Sequence, residues 1–179
     1  MTSNEARIVL GVVKKRRSIR SYKDAEVPRE MLIKLLEAGQ WSPTPSNVQS
    51  WRFIVVQEPK HLGILKNLSP GFPASASAAI AVCSDRGDTQ RFGEKLRLTL
   101  TAEETAMAVQ NMLLVAHSLS LGSCPVASFS QTGIKELLDL PERIDPILLV
   151  ALGFPHEQPV APPRKKLARI TSWNKYRKR

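Results

Sequence analysis

A long segment near the middle of the chain is apolar on nearly all sides at helical spacing. We predict a helix over residues 101–121 that is closed by Gly122. One side carries Ala106, Val109, Met112, Leu113, Ala116 and Leu119, and the other carries Met107, Leu114 and Val115. A helix of this kind is stable only when other elements cover it. The chain is therefore expected to bury this helix at the centre of a folded core.

Four short segments have the composition of β-strands and alternate with helical patterns. They cover residues 51–57, 78–83, 123–129 and 147–152. The first two are expected to be central strands. Shorter helices are predicted over residues 4–15, 28–39 and 134–138. The alternation predicts an α-β-α arrangement but leaves the strand order open.

The length and composition suit one globular domain. The chain has 179 residues, of which 42% are hydrophobic and 23% are charged. We expect a single domain over residues 1–179, in which residues 156–179, rich in proline and then basic, form an extended C-terminal arm. No apolar run approaches the roughly 20 residues of a membrane span, and the first residues are polar rather than signal-like. A cytoplasmic protein with no membrane partner is expected.

Cysteine and histidine usage gives no support to metal chemistry. Cys83 and Cys124 are the only cysteines and lie in or beside apolar segments, so both are expected to be reduced and buried. The three histidines, His61, His117 and His156, are far apart in sequence. No metal site is predicted.

The formal net charge of +10 is the unusual bulk property of the chain. The charge is concentrated over residues 14–20 and again over residues 164–179. A positive surface attracts phosphates, nucleotides or nucleic acid, and the charge alone does not choose among them. The two basic clusters either share one anion or serve separate purposes.

Two short segments carry groups suited to ligand binding. Residues 16–20 combine arginine guanidinium groups, which match phosphate oxygens in pairs, with the hydroxyl of Ser18. Residues 42–47 contain two prolines among serine, threonine and asparagine, so they are expected to form an irregular loop before a strand. Taken singly, the first could be a solvated helix end and the second a plain connecting turn.

Read in order, these segments resemble the nitroreductase family. The matching stretches are RRSIRSY at residues 16–22, SPTPSNVQSWRF at 42–53, AVQNMLLVAHSLSLGSCPV at 108–126 and LLVALGFPHEQPVAPPRKK at 148–166. The resemblance implies an α+β fold, a three-layer α-β-α sandwich with a central, mostly antiparallel sheet. It also implies an intertwined homodimer with FMN bound between the two chains.

The resemblance further implies an oxidoreductase that passes hydride from NADH or NADPH through FMN to an electron-poor small molecule, such as a nitroaromatic or a quinone. The cycle is ping-pong, and no catalytic side chain is implied because the flavin carries the chemistry.

The site residues implied by the resemblance fall into four groups. At the FMN phosphate and the pyrimidine end of the ring are Arg16, Arg17, Ser18 and Arg20. From the partner subunit, a loop reaches the ring with Pro43, Thr44, Pro45, Ser46, Asn47 and Gln49. Near flavin N5 lie Pro125, Val126, Ala127 and Ser128. Returning to the phosphate are Arg164 and Lys166.

Two departures from the family pattern affect substrate choice. The chain is short over residues 85–100, where members often carry helices that cover the substrate, and Ala127 stands where many members have an acidic residue. A flavin-consuming or dehalogenating relative is an alternative, disfavoured by the reduced lid. A nucleic-acid-binding module is a second alternative. It is disfavoured because no recognised motif is present and the aromatic residues do not interleave with the basic runs before the final tail.

Overall fold

A computed structural model describes residues 3–176 of the chain. Within that range the helices are α1 Asn4–Lys15, α2 Arg29–Gln40, α3 Pro59–Leu68, α4 Arg86–Thr89, α5 Glu94–Ser118, α6 Gln131–Leu137 and α7 Leu167–Ile170. The strands are β1 Trp51–Val56, β2 Ala78–Asp85, β3 Gly122–Val126 and β4 Ile144–Gly153. All four predicted strands are confirmed.

The four strands form one antiparallel sheet in the order β1-β2-β4-β3. Every residue of β2 is buried, including the polar Ser84 and Asp85 at its end. The apolar run over residues 78–83 is typical of a strand that is covered on both faces. The prediction that residues 51–57 form a central strand is wrong, because β1 lies at an edge of the sheet. Its burial pattern fits an edge position, since Arg52 is exposed and only Trp51 and Val56 are fully buried.

Helices cover both faces of the sheet and create two separate cores. On one face, α2 and α5 bury residues such as Leu35 and Met112. On the other face, α3 and α6 bury residues such as Leu65 and Ile134. The predicted three-layer α-β-α sandwich is therefore confirmed, and its sheet is wholly antiparallel.

Helix α3 was not predicted, although its sequence contains a helix start. Pro59 occupies a first-turn position, where its missing N–H costs nothing. Leu62 and Leu65, three residues apart, face the core and are almost completely buried. This short stripe is the part of α3 that a sequence pattern could have detected.

Helix α5 differs from the prediction in its extent and burial. It begins at Glu94 and ends at Ser118, so its N-terminal turns occupy the residues in which we expected a reduced lid. Only one face is buried. Ala106 and Met107 are exposed on the other, and Met107 retains 37% of its accessible surface. The expectation that other elements of the same chain bury this helix on all sides is therefore wrong.

Gly122 does not close α5, contrary to the prediction. The helix ends at Ser118 with Leu119 as its C-cap, and Ser120 then adopts a left-handed conformation with φ of 61°. Gly122 instead begins β3, where a Cβ atom would lie 2.9 Å from Ile19 Cγ2. The glycine is needed because the chain segment after α1 passes directly over this position.

Gly153, at the end of β4, has the same function, which gives a stability prediction. A Cβ atom there would lie 2.9 Å from three carbons of Tyr22. We expect Gly153→Ala to lower the free energy of unfolding by about 1–3 kcal/mol through overpacking. Gly63→Ala is the control, because nothing lies within 4 Å of its Cβ position and alanine favours a helix by about 0.5–1 kcal/mol. Urea unfolding measures both, and equal stability of G153A and the wild type would contradict the packing argument.

The arm after β4 is extended as predicted, with one short helix, α7, that was not predicted. Along the arm several large apolar side chains are exposed: Val160, Leu167, Ile170, Trp173 and Tyr176. The sequence also predicts that residues 175–179 at the end of the arm are disordered and solvated, and this tail lies partly outside the described range, which ends at residue 176. None of the described helices has the length and apolarity that a membrane crossing requires.

Candidate functional site

The predicted phosphate-binding segment, residues 16–22, lies against β3 and β4. Ser18 pairs with Ser123 in a parallel bridge, and the Ile19 N–H donates to the Ser123 carbonyl at 3.0 Å. The Tyr22 hydroxyl donates to the carbonyls of Ile19 at 2.5 Å and Ala151 at 3.3 Å. Burial raises the pKa of Tyr22, so its hydroxyl remains a donor. The segment is therefore held by the sheet and is not a solvated helix end.

Arg16 and Arg17 differ sharply in their environment. Arg17 donates to the carbonyls of Lys14 at 2.7 Å and Arg16 at 2.6 Å, which satisfies the C-terminal end of α1. Arg16 is half-buried, and its Nη1 atom is fully buried without any hydrogen-bond partner among the described residues. A buried guanidinium donor is rarely left unpaired. The position of Arg16 therefore fits an anionic ligand such as a phosphate.

Arg20 and Arg16 both act electrostatically on Cys124 of β3. Burial raises the pKa of the Cys124 thiol on β3, while the positive charges of Arg20 and Arg16 oppose that rise. The Arg20 side chain is exposed, and its backbone N–H donates to Glu157 Oε1 at 2.5 Å. Ser21 N–H donates to the same oxygen at 3.1 Å. The first residues of the C-terminal arm are therefore fixed beside the segment.

His117, in the last turn of α5, was not singled out from the sequence. Partial burial lowers its pKa, and the charges of Arg16, Lys15 and Arg17 lower it further. The imidazole is thus kept neutral beside a concentration of positive charge. No local motif places a histidine of α5 against the end of α1, so only the packing of the two helices reveals it.

The loop of residues 42–49 contains one short 3-10 turn, Pro45–Asn47, where we predicted no regular structure. The Gln49 N–H donates to Thr44 Oγ1 at 3.1 Å. Three residues adopt left-handed backbone, with φ of 49° at Ser46, 54° at Asn47 and 52° at Gln49. Such conformations cost about 1–3 kcal/mol each and are typical of functional sites.

The loop presents polar groups to solvent beside a small cavity. Ser46, Asn47 and Gln49 are exposed together with Pro43, whereas Thr44 and Pro45 are half-buried. The cavity has a volume of about 270 Å³ and is lined by Gln40, Trp41, Ser42, Asn47, Gln49 and Trp51. The amide groups of Asn47 and Gln49 are thus available to a ligand from outside the chain.

The segment of residues 125–128, at the end of β3, is suited to backbone contacts. Val126 is buried, so only its main chain can meet a ligand, while Pro125, Ala127 and Ser128 are exposed. The Ser128 carbonyl accepts a hydrogen bond from Ser69 Oγ at 2.8 Å. The backbone here is held in place without a charged side chain.

Arg164 and Lys166 lie on the C-terminal arm beside a groove of the arm itself. Arg164 donates to the carbonyls of Pro162 at 3.2 Å and Pro163 at 3.4 Å. Both cations line a surface groove of about 470 Å³ that also includes Arg169. Among the residues that the structure describes, no hydrogen bond or ion pair joins them to the segment after α1. Their return to a shared phosphate stays a prediction.

The loop before β1 and the segment after α1 lie at diagonally opposite corners of the sheet. Ser123, beside Ser18, pairs with Leu152 of β4, whereas Trp51, at the end of the loop, reaches Asp145 of β4 through β2. The corners are seven residues apart along the strands, roughly 23 Å, and three strand spacings apart across the sheet, roughly 14 Å. Helix α5 runs the same course, with about 20 Å between residues 104 and 117.

A buried polar cluster beneath the loop was missed at the sequence level. Glu104 of α5 is 1% exposed and accepts a hydrogen bond from Ser50. The helical stripe that also contains Ala108 and Met112 points Glu104 inwards, and this spacing is the signal that could have revealed it. Within residues 3–176, no group of three or more histidine, cysteine, aspartate or glutamate residues could hold a metal ion.

The chain matches known proteins over most of its length. The family model that describes the nitroreductase family matches residues 13–70 and 62–154. A protein of Methanothermobacter thermautotrophicus, whose provisional name pairs NADH dehydrogenase with NAD(P)H nitroreductase, is 34% identical over 157 residues. That match covers 84% of this chain and 79% of the relative.

Solved structures give the same result. A nitroreductase from Desulfovibrio desulfuricans, provisionally named as such and solved in complex with FMN, superposes with a TM-score of 0.80 at 29% identity. The match covers 98% of this chain and 99% of that one. An FMN-dependent nitroreductase from Clostridium difficile superposes with a TM-score of 0.81 at 27% identity, covering 93% and 99% of the two chains. With its family motifs, its sheet order and these matches, the chain belongs to the nitroreductase family.

Proposed function

We propose that the chain is an NAD(P)H-dependent oxidoreductase that uses FMN and passes reducing equivalents to an electron-poor small molecule. The observation that carries this proposal is the buried guanidinium nitrogen of Arg16, which has no partner among the described residues and lies in the segment that resembles the family's phosphate-binding motif. Bound FMN would supply the hydride chemistry. The protein has to bind, orient and electrostatically tune it.

The residues around Arg16 suit the two ends of FMN. Arg16, Ser18 and the charge of Arg17 would hold the phosphate, with Arg164 and Lys166 as further cations. Each charge-assisted hydrogen bond contributes about 1.5–3 kcal/mol, so a few such bonds hold the cofactor without a covalent link. Arg20 would place positive charge beside the pyrimidine end of the ring and raise its reduction potential.

A homodimer would complete the site. One chain places its loop and its Arg16 segment at opposite corners of the sheet, too far apart for both to meet one flavin ring system. Packing of α5 against α5 of a second copy in antiparallel fashion would bring each loop to the partner's Arg16 segment. The exposed apolar faces support this arrangement, since α1 has no buried residue and its Ile8 and Val9 are more than half exposed.

The acceptor that we propose is a nitroaromatic, a quinone or a similar electrophile, reduced in a ping-pong cycle in which the nicotinamide leaves before the acceptor enters. The backbone of residues 125–128 would face the reactive edge of the ring. With alanine at position 127, no side-chain charge restricts the acceptor there. Residues 1–179 would form one domain that performs the whole reaction.

A visible spectrum of the purified protein tests the proposal directly. We expect a yellow protein with flavin absorption bands, which NADH or NADPH bleaches in the absence of oxygen and a quinone restores. Titration with each nicotinamide separately gives the preferred reductant. A colourless protein that cannot be reconstituted with FMN would remove the proposal. Release of halide, or loss of the flavin itself under oxygen, would favour a dehalogenating or flavin-consuming activity instead.

A further inference from the structure

The ring-binding loop, residues 44–49, adopts a backbone that its own hydrogen bonds do not explain. Ser46, Asn47 and Gln49 all have left-handed φ values, between 49° and 54°. Within the loop, the Gln49 N–H donates to Thr44 Oγ1 at 3.1 Å, and the other internal bonds are similarly local. Residues other than glycine keep such conformations only when surrounding contacts hold them. The anchor of the loop must therefore lie outside it.

Two exposed hydrogen bonds reach the loop from outside, from Arg91 Nη2 to the Ser46 carbonyl at 3.5 Å and from Arg52 Nη1 to the Gln49 carbonyl at 3.4 Å. Ser50, directly after the loop, is its buried point of attachment. It is completely buried, and its carbonyl accepts a hydrogen bond from the Asp85 N–H at 2.8 Å. Its hydroxyl lies 2.8 Å from Ser84 Oγ and donates to Glu104 Oε1. Ser50 is thus tied to strand β2 through its backbone and to helix α5 through its side chain.

Glu104 is buried without a compensating cation. Within the described part of the chain no ion pair involves it, and Asp88, the nearby charge that acts on it, is negative. The neighbouring arginines, Arg52 and Arg143, both pair with Asp85, and Arg52 also pairs with Asp88. Burial raises the pKa of Glu104, against the smaller opposing effect of its hydrogen bond from Ser50. Its Oε2 atom has no partner among the described residues, which suits the protonated acid.

We propose that Glu104 is a positioning residue that acts through Ser50 to hold the loop of residues 44–49 in the conformation that receives the cofactor ring. The identity of the ring rests on the proposed function, whereas the contact that holds the loop does not. Glu104 would affect the position of the ring only indirectly, through the conformation of the loop. Glu104 belongs to the face of α5 that is buried within its own chain, whereas Met107, three residues further on, is exposed. One helix would therefore position the loop with one face and meet the second copy with the other.

Amide hydrogen exchange tests the anchoring contact with or without FMN. We expect Glu104→Ala to raise exchange over residues 42–50 by about ten-fold or more, because the loop loses its anchor. Glu104→Gln keeps the shape and neutrality of the acid and should stay within about two-fold of the wild type. Ser50→Ala removes the same contact from the other side and should reproduce the effect of E104A. Leu65→Ala, in the core on the opposite face of the sheet, is the control for general destabilisation.

FMN titration of the same proteins tests the consequence for the site. We expect E104A to raise the FMN dissociation constant by about ten-fold and to shift the visible spectrum of the bound flavin, while E104Q does neither. Because the pKa of Glu104 is raised in the folded protein, rising pH removes its proton and places a second negative charge near Asp88. Wild-type affinity for FMN should therefore weaken as rising pH deprotonates Glu104, and E104Q should lack this change.

The outcomes separate the two claims. Folded E104A with wild-type exchange over residues 42–50 and wild-type FMN affinity would overturn the inference. So would an equal exchange increase over those residues in L65A. If the wild type itself takes up no FMN, the proposed function fails, and the exchange data alone decide whether Glu104 anchors the loop. A parallel loss of FMN affinity with rising pH in E104Q would show that another group titrates.

Discussion

Arg16→Ala is expected to leave the folded protein largely without flavin. Removing the guanidinium from the phosphate site loses charge-assisted hydrogen bonds that contribute about 1.5–3 kcal/mol each. The loss of one such bond raises the FMN dissociation constant roughly 10- to 150-fold. The Arg16 Nη1 atom is already desolvated in the folded chain and has no hydrogen-bond partner in residues 3–176. Folding therefore already supplies much of the free energy needed to desolvate and position this donor, before FMN binds. Fluorescence titration of the flavin-free protein measures the change.

Arg17→Ala is the matched control for Arg16→Ala, because it removes the same charge one residue away. Its guanidinium is bound to the carbonyls at the end of α1, so we expect a smaller loss of FMN affinity and some loss of helix stability. Riboflavin, which lacks the phosphate, should bind R16A and the wild type with equal affinity. If R16A weakened riboflavin as much as FMN, Arg16 would not be the phosphate residue.

Met107→Asp is expected to abolish both self-association and flavin binding. Burying an unpaired carboxylate between two apolar helix faces costs several kcal/mol. Because less than 3 kcal/mol is enough to raise the dimer dissociation constant by about 100-fold, we expect a larger rise than that. A chain that cannot pair keeps its loop and its Arg16 at separate corners of the sheet. Light scattering should give the monomer mass of 19.9 kDa for M107D, and its visible spectrum should lack flavin bands.

Ile64→Asp provides the control for a charge placed on an apolar surface position. Ile64 on α3 is 39% exposed, compared with 37% for Met107, but it lies on the opposite side of the sheet. We expect I64D to remain a dimer of about twice the chain mass and to stay yellow. If M107D is still dimeric, the dimer interface does not include this face of α5.

The local elements of the fold were predictable because their sequence signals are local. The bounds of α1 matched the prediction, and the continuous apolar run of β2 marked a strand with both faces covered. The position of β1 at the edge was not predictable, because strand order depends on pairing partners far apart in the chain. The burial of α5 was overestimated for a related reason. A sequence shows that a face is apolar but does not show whether its own chain or a second copy covers it.

The candidate site was predictable where a motif carries it and not where packing creates it. Residues 16–20 and 42–49 stood out through resemblance to a family. The difference between Arg16 and Arg17 depends on which guanidinium reaches the end of α1, and adjacent identical residues give no sequence signal for that. Glu104 shares a helical stripe with Ala108 and Met112. Because glutamate side chains are usually exposed, the stripe alone did not lead us to predict that Glu104 is buried.

A purified mixed dimer tests most directly whether two subunits build each site. One subunit carries R16A and the other carries N47A and Q49A, with different affinity tags that allow isolation of the heterodimer. One of its two sites then receives an intact Arg16 and an intact loop, and the other receives neither. We expect about half the wild-type flavin and activity, with far less in either parental homodimer. A mixed dimer as empty as its parents would contradict the account, because it would mean that each chain builds its site alone.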